Sequence, residues 1–382
     1  MRRGYATWLM IAILALSACG GQPAPAATDS PLDLDSYATA VATSAVQTAV
    51  ASADGAFPNG TLIVTQLGRP LAQLPGRQSI ALTDERFGAQ ASPNGRYGVR
   101  LTTTTGGTAL ELVDYATNPP AVTAIPEGRG LRGPGITWKP DSSGFAFFDF
   151  PPFGQQAGIR SIYYFDVARG QSARLIPDMQ RPNQIPISVS FSPDGAYLLY
   201  VIGDAEAEGI GGPGSTPYIL TVASGQSAPL PPDTLFGPVQ WLNDNSGFLV
   251  LRRTAQAADQ SGVFRYNLNA LNNPQRLTPP NTTDLLVDIS ADGRWVAVTS
   301  TGDTPNNPAN IYMMALDGSN RRRLTDFADP EQSITGLVWA ADGIYYSLSS
   351  ADGLGTVWRM DLDGRNATQI GTGTLHAVIG AG

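Results

Sequence analysis

Phe191-Ser192-Pro193-Asp194-Gly195-Ala196-Tyr197-Leu198-Leu199-Tyr200 reads as strand, tight turn, strand. Pro193 sets φ near about −65°, Asp194 bonds its own backbone, and Gly195 reaches positive φ without steric cost. Such a turn joins two antiparallel strands in a hairpin. The phrase returns around Gly95, Gly144, Gly195, Gly247, Gly293 and Gly343, at spacings of 49, 51, 52, 46 and 50 residues. A period near 50 in an all-β pattern signals stacked four-stranded units, the blades of a propeller.

Each unit repeats one grammar. Strand A ends in a large residue before the turn: Trp138, Phe191, Trp241, Ile289 or Trp339. Strand B follows as Tyr97–Leu101, Phe145–Phe148, Tyr197–Ile202, Phe248–Leu251, Trp295–Thr299 and Ile344–Leu348. Strand C lies at Leu110–Tyr115, Ile162–Val167, Tyr218–Ala223, Val263–Leu268, Ile311–Leu316 and Val357–Leu362. A second turn leads to strand D, as in Ser172–Ile176 or Arg321–Thr325. Period-two alternation and enrichment in β-branched and aromatic residues support all of these.

The ends set the blade count. Leu62–Leu67, Leu71–Leu74 and Gln78–Thr83 fit strands B, C and D, and Leu375–Ile379 sits where a new strand A is due. Joined, they make a seventh blade and remove two open sheet edges. The expected fold is therefore an all-β, seven-bladed propeller of four-stranded antiparallel blades. A six-bladed ring with residues 61–83 as an irregular cap is the alternative. The expected blades are 88–126, 135–177, 186–231, 236–278, 284–326, 334–371, and a closing blade of 374–379 with 61–83.

The aromatic–Ser-Pro-Asp-Gly-x-x-aliphatic phrase, over residues 88–360, resembles the TolB-like and WD-repeat-like periplasmic propellers. That resemblance implies a fold rather than a function, because such blades occur in scaffolds, in enzymes and beside peptidase domains.

The N-terminus carries an address. Arg2 and Arg3 precede an 11-residue apolar run, Trp8 to Ala18, too short to span a bilayer and of signal-peptide size. Its ending, Leu16-Ser17-Ala18-Cys19, resembles the bacterial lipoprotein signal, which implies cleavage after residue 18 and acylation of Cys19. Two or three acyl chains hold a protein on a membrane stably. Residues 19–60, the lipidated cysteine and an Ala/Thr/Pro-rich stretch, read as a tether with a reach on the order of 35 Å. The propeller then fills 61–382. The expected location is extracytoplasmic, on the cell membrane or outer membrane of a bacterium.

Composition excludes several classes. A net charge of −8 argues against nucleic acid. Lys139 is the one lysine, Cys19 the one cysteine and His376 the one histidine, so no intrachain disulfide or Cys/His zinc site forms. His376 has no Gly-x-Ser-x-Gly serine to serve and reads as a packed or channel-facing residue. The turn aspartates Asp141, Asp194, Asp292 and Asp342 read as turn formers. Arg321-Arg322-Arg323 enters an outer strand, where charge deters edge pairing. Trp138, Trp241 and Trp339 recur at equivalent positions and read as core. No cofactor or metal is expected.

Loop lengths point to a face. The B–C and D–A connections share one end of a blade, and the long loops are B–C: Asp149–Gly158, Gly203–Pro217, Arg252–Gly262 and Ser300–Asn310. Long loops in a compact domain are usually functional or mobile. Phe150 and Phe153, with Arg129, Arg132, Arg181, Arg252 and Arg253, are the candidate contacts there, since aromatics and arginines dominate binding hot spots. The expected function is a monomeric, non-catalytic binding module for a protein, peptide or cell-envelope glycan. A carboxylate-based glycan hydrolase or lyase at the central channel is the alternative, needing only two Asp/Glu about 5–10 Å apart.

Overall fold

Runs that alternate apolar with polar residues, rich in Val, Ile, Tyr and Phe, fit a pleated half-buried surface. In a computed structural model of the chain they form 28 strands and a single 3-10 turn, Pro126–Gly128, among the described residues. The residues described are 59–66, 69–76, 79–81, 90–94, 96–105, 107–132, 134–149, 157–179, 184–204, 216–230, 235–252, 262–280, 282–301, 308–329, 332–349 and 354–379.

The strands are β1 (Leu62–Gln66), β2 (Arg69–Gln73) and β3 (Ile80–Ala81), then β4 (Gln90–Ala91), β5 (Tyr97–Thr104), β6 (Gly107–Asp114) and β7 (Ala121–Ile125). Next come β8 (Pro134–Trp138), β9 (Gly144–Asp149), β10 (Tyr163–Asp166) and β11 (Gln171–Arg174). They are followed by β12 (Gln184–Phe191), β13 (Tyr197–Asp204), β14 (Thr216–Thr221) and β15 (Gln226–Pro229). Then β16 (Leu235–Trp241), β17 (Gly247–Arg252), β18 (Gly262–Asn267) and β19 (Gln275–Arg276). The last are β20 (Asp284–Ile289), β21 (Trp295–Ser300), β22 (Asn310–Ala315), β23 (Arg322–Arg323), β24 (Ile334–Ala340), β25 (Gly343–Leu348), β26 (Thr356–Met360), β27 (Thr368–Thr372) and β28 (Thr374–Val378).

Hydrogen bonding gathers them into four-stranded antiparallel sheets in chain order, β4–β7, β8–β11, β12–β15, β16–β19, β20–β23 and β24–β27. A further sheet has the order β28-β1-β2-β3. Val64 faces Leu375 and Leu62 faces Val378 across β1 and β28, so the last strand pairs with the first as the alternation required. Gly60 N–H donates to Ile379 O at 2.8 Å and Ile379 N–H to Thr61 O at 2.9 Å, extending the join. The A to C strands fall close to their expected bounds. The outer D strand expected at Arg321–Thr325 is shorter, the two residues of β23, and β3 lies within the expected Gln78–Thr83, of which Gln78, Leu82 and Thr83 are outside the described residues.

Four of the described A–B turns share one hydrogen-bond pattern, while the β24–β25 turn is tighter, with Ala340 facing Gly343 directly. In the four, the first turn residue donates its N–H across the turn to the fifth residue on, and the fourth residue's N–H returns to the first residue's carbonyl, as in Ser192 N–H to Tyr197 O and Gly195 N–H to Ser192 O. The same bonds run from Ser290, Lys139 and Leu242. The left-handed position is therefore Gly195 and Gly293 in two turns, both at φ 68°, but Ser142 and Asn245 in the others, at φ 60° and 56°. This corrects the sequence alignment. Gly144 and Gly247 open β9 and β17 two residues later, and they are glycine for a different reason. A Cβ on Gly144 would lie 2.3 Å from Phe165 O, and one on Gly247 1.8 Å from Tyr266 O.

Turn aspartates behave as expected. Asp194 and Asp292 Oδ1 each accept from the preceding serine hydroxyl at 2.6 Å and from the N–H two residues on. Asp141 and Asp244 accept from Ser143 and Ser246 N–H at 2.9 Å. Those bonds hold these carboxylates below their ordinary range. Asp342 differs: it takes the Tyr345 hydroxyl at 2.9 Å and the Arg359 guanidinium. The turns also latch neighbouring sheets. Asn94 N–H donates to Ser142 Oγ, Asp194 N–H to Asn245 Oδ1, and Asn243 Nδ2 to Ala291 O.

The core lies between the sheets. Val99, Leu110 and Ile125 pack on Trp138, Phe145, Phe147 and Phe165 of the next sheet. Leu199, Val201 and Ile219 pack likewise on Phe248, Val250 and Tyr266, and Ile344, Tyr346 and Met360 on Ala297, Ile311 and Met313. Leu62, Val64 and Leu375 pack on Ala340, Tyr345 and Val357, which seats the β28–β1 pair against the sheet before it. Each such side chain contributes about 1.5–3 kcal/mol by leaving water. Trp138 and Trp339 are buried, and Trp241 Nε1 donates across the sheets to Ser190 Oγ at 3.2 Å, so these indoles are core.

Candidate functional site

The two ends of the sheets differ in kind. At the A–B end the polar groups repeat, with Ser92, Ser192 and Ser290 doing one job. At the B–C end the buried polar residues change from sheet to sheet: Asp149 and Ser161, Arg252, Thr278, Thr282 and Asp284, Ser300 and Asn310, Ser347, His376. Repetition is what folding needs. A polar set that varies between equivalent positions is the candidate for binding. The A strands supply part of the variation, because β12, β16, β20 and β24 each carry a register irregularity near their start at this end. Bulges of that kind re-aim side chains.

The densest of these groups joins the sheets β16–β19 and β20–β23. Arg252 closes β17, is 6% exposed, and holds its guanidinium 4.3 Å from the centre of the Phe264 ring. Arg276, closing β19, stands 5.7 Å from the same ring. Its Nε and Nη2 donate to Thr278 O and Pro279 O, both at 2.7 Å, which fixes the turn into the next sheet. Thr278 Oγ1 accepts from Val263 N–H at 2.9 Å. Thr282 donates to Pro279 O at 3.0 Å and to Asp284 Oδ2 at 3.3 Å. All converge on Gly262, at φ 140°. A Cβ there would lie 2.5 Å from Thr278 Oγ1, 3.2 Å from Arg276 Nη2 and 3.4 Å from Asp284 Oδ2.

A second group sits at the end of β9. Asp149 is fully buried, and its Oδ1 accepts from Arg132 N–H at 2.9 Å while Oδ2 accepts from Gly158 N–H. That carboxylate ties the D–A connection to the B–C connection and leaves the Arg129 and Arg132 side chains exposed. Further round, Asn310 Oδ1 accepts from Phe327 N–H at 2.7 Å and from Thr325 Oγ1 at 3.0 Å. His376 is 6% exposed, lies 2.7 Å from Thr65 Oγ1, and is pushed down to about 4 by burial, so it is neutral at pH 7.

The sequence-selected contacts are scattered among these features. Arg129 and Arg132 are exposed in the D–A connection at the B–C end. Arg252 is there too, but as the buried last residue of a strand rather than a loop residue, because its aliphatic stem and guanidinium lie on Phe264. Phe150, Phe153, Arg181 and Arg253 lie outside the described residues, as do Cys19, the signal segment, the tether up to residue 58 and most of the long loops. Arg321 stacks 3.8 Å over Tyr312, Arg322 reaches Leu362 O, and Arg323 pairs with Asp326 at 2.6 Å. Sequence reasoning missed Asp149, Arg276 and Asp284. The available signal was a charge at the end of an otherwise apolar run, as in Asp284-Leu285-Leu286-Val287.

No family model matches the sequence. No curated protein matches it. Among solved structures it is similar to a prolyl endopeptidase, at 15% identity and TM-score 0.57, covering 89% of this chain and 54% of that one. Dipeptidyl peptidase 4 of Porphyromonas gingivalis matches at 14% identity and TM-score 0.54, over 85% and 55% of the two chains. TolB of Acinetobacter baumannii matches at 17% identity and TM-score 0.41, over 74% and 65%. The fold is a β-propeller. The chain spans about half the length of the peptidases it matches. Likeness at this identity speaks for the propeller and not for an activity. No helix among the described residues is long and apolar enough to cross a membrane.

Proposed function

We propose that the chain is a lipid-anchored, extracytoplasmic propeller of seven blades that binds a protein, peptide or envelope glycan at its B–C end, without catalysis. The observation that carries this reading is the contrast between ends: repeated turn chemistry at one, a different buried polar group in each sheet at the other. The pairing of β28 with β1 supports closure at seven blades. Leu16-Ser17-Ala18-Cys19 supports the anchor and, through it, the location. Binding is favoured over two-carboxylate hydrolysis because Asp149 and Asp284, the buried acidic residues described at this end, each already take hydrogen bonds from this chain. Asp149 serves the Arg132 and Gly158 amides, and Asp284 takes the Thr282 hydroxyl.

In-cell photo-crosslinking tests the face. A crosslinker replacing exposed Arg132 is expected to capture a partner that one replacing Arg169, on the opposite C–D turn, does not. Capture from Arg169 alone, or equally from both, would sink the assignment. A Cys19→Ser variant tests the anchor separately: the protein should leave the membrane fraction.

A further inference from the structure

An outer D strand shows an unpaired row of backbone amides and carbonyls unless something blunts it. Most of the described ones are blunted. β11 carries Arg174, β15 ends in Pro229, and β19 and β23 are two residues long with Arg276, Arg322 and Arg323. β27 has five residues, but Gly371 interrupts it and Gln73 from the adjoining sheet covers it. Gln73 Nε2 donates to Thr372 O at 2.6 Å, and its Oε1 accepts from Thr372 N–H at 3.2 Å.

β7 has none of these devices. Its five residues, Ala-Val-Thr-Ala-Ile, include no charge, glycine or proline, and the first four are exposed, Val122 to 48%. Ile125 is buried against the Trp138–Phe145 cluster, which anchors the strand. Ala121 N–H is taken by Thr117 Oγ1 at 2.7 Å, so the open edge is Val122 to Ile125. Pro119 and Pro120 before it and Pro126 after it lack the N–H needed to lengthen the pairing. The charges on the strands beside it are neutralised at home, Arg96 by Asp114 at 2.8 Å and Arg100 by Glu111 at 3.0 Å.

We propose that β7 is a strand-addition site that takes a short, extended, uncharged polypeptide segment as a fifth antiparallel strand. The neutral edge and its paired neighbours give a charged segment nothing to meet, while main-chain bonds supply the affinity. A second copy of the chain is the poorer occupant. Two five-residue strands fall well short of the roughly 1,000 Å² a stable interface buries. A net charge of −8 on each copy also opposes association. This surface is distinct from the B–C end.

The test titrates the full chain with a fluorescein-labelled acetyl-Ala-Thr-Val-Thr-Ala-Val-amide peptide, followed by anisotropy and by hydrogen exchange at Val122–Ile125. Saturable binding with slowed exchange there is expected. Val122→Lys, at an exposed side chain, and a peptide N-methylated at alternate amides should each weaken it at least about tenfold. Absence of binding, binding indifferent to both changes, or a dimer in sedimentation velocity that Val122→Lys dissolves would each overturn the proposal.

Discussion

Asp288 and His376 shift in opposite directions, and separating their titrations gives a demanding test of the fold. Asp288 lies on β20 with its carboxylate enclosed, accepting from Trp339 N–H of the next sheet at 2.7 Å and from Ile289 N–H at 2.9 Å. Burial outweighs those bonds and raises it from 3.8 to about 6. His376, on β28, is lowered by burial from 6.5 to about 4. Between pH 4 and 6 the folded chain carries one proton of this pair, on Asp288. The unfolded chain also carries one, on His376. Proton uptake is equal, so the pair leaves stability flat across that window. Asp288→Asn removes the folded-state proton. The unfolded state then binds more, and stability rises with pH from about 4 to 6.5 at about 1.4 kcal/mol per pH unit, about 3 kcal/mol in all. His376→Gln does the reverse: the folded state binds more, and stability falls by a similar amount as pH rises from 3.8 to 6. The turn carboxylates Asp141, Asp194, Asp244 and Asp292 are depressed, so their contribution is lost only below about 3.8 and does not enter this window. Urea unfolding of the three proteins at half-unit steps from pH 4.5 to 6.5 reads the slopes, which are independent of any constant cost of the substitution. Parallel profiles for the wild type and both variants would refute the placement of these groups.

Four further outcomes follow from the turns and the core. Gly247→Ala drives a Cβ to within 1.8 Å of Tyr266 O and should cost at least about 3 kcal/mol by thermal unfolding, since two paired strands must separate. Gly293→Ala meets no atom within 4 Å and bears only its φ of 68°, a cost of about 1–2 kcal/mol. Asn245→Gly keeps the left-handed position but loses the Asp194 N–H latch, whereas Asn245→Ala loses both; denaturant midpoints should rank them in that order, about 1 kcal/mol apart. Phe145→Ala, at the meeting of two sheets, should cost about 3–5 kcal/mol in the same measurement.

The sheets were legible in the sequence because each A–B hairpin is locally specified. Ser192, Asp194 and Gly195 each satisfy a named bond of the turn they sit in, and the same types recur at Ser290, Asp292 and Gly293. The phase error came from treating glycine as one signal. Gly195 answers a backbone dihedral, while Gly144 and Gly247 answer the close approach of a neighbouring strand's carbonyl. Only the partner strand distinguishes these, and sequence spacing does not contain it. The outer strand at Arg321–Thr325 was overdrawn for a related reason: β23 keeps two paired residues because its other side has no strand to hold it.

The B–C end was legible as a place and not as a set of groups. Loop length pointed to this end, but loop membership does not convey that Arg252 is a buried strand residue. Arg252 is informative because its strand continues to it and Phe264 lies beneath it, not because a long loop follows. Arg276 and Asp284 belong to the same group by way of Gly262, ten or more residues away on another strand. Their sequence neighbours, Leu277-Thr278-Pro279-Pro280, announce a turn and nothing more. In a repeat fold the turn residues are written locally and so repeat. A site built between adjacent sheets is written in long-range proximity, and it becomes visible only when the blades are laid side by side.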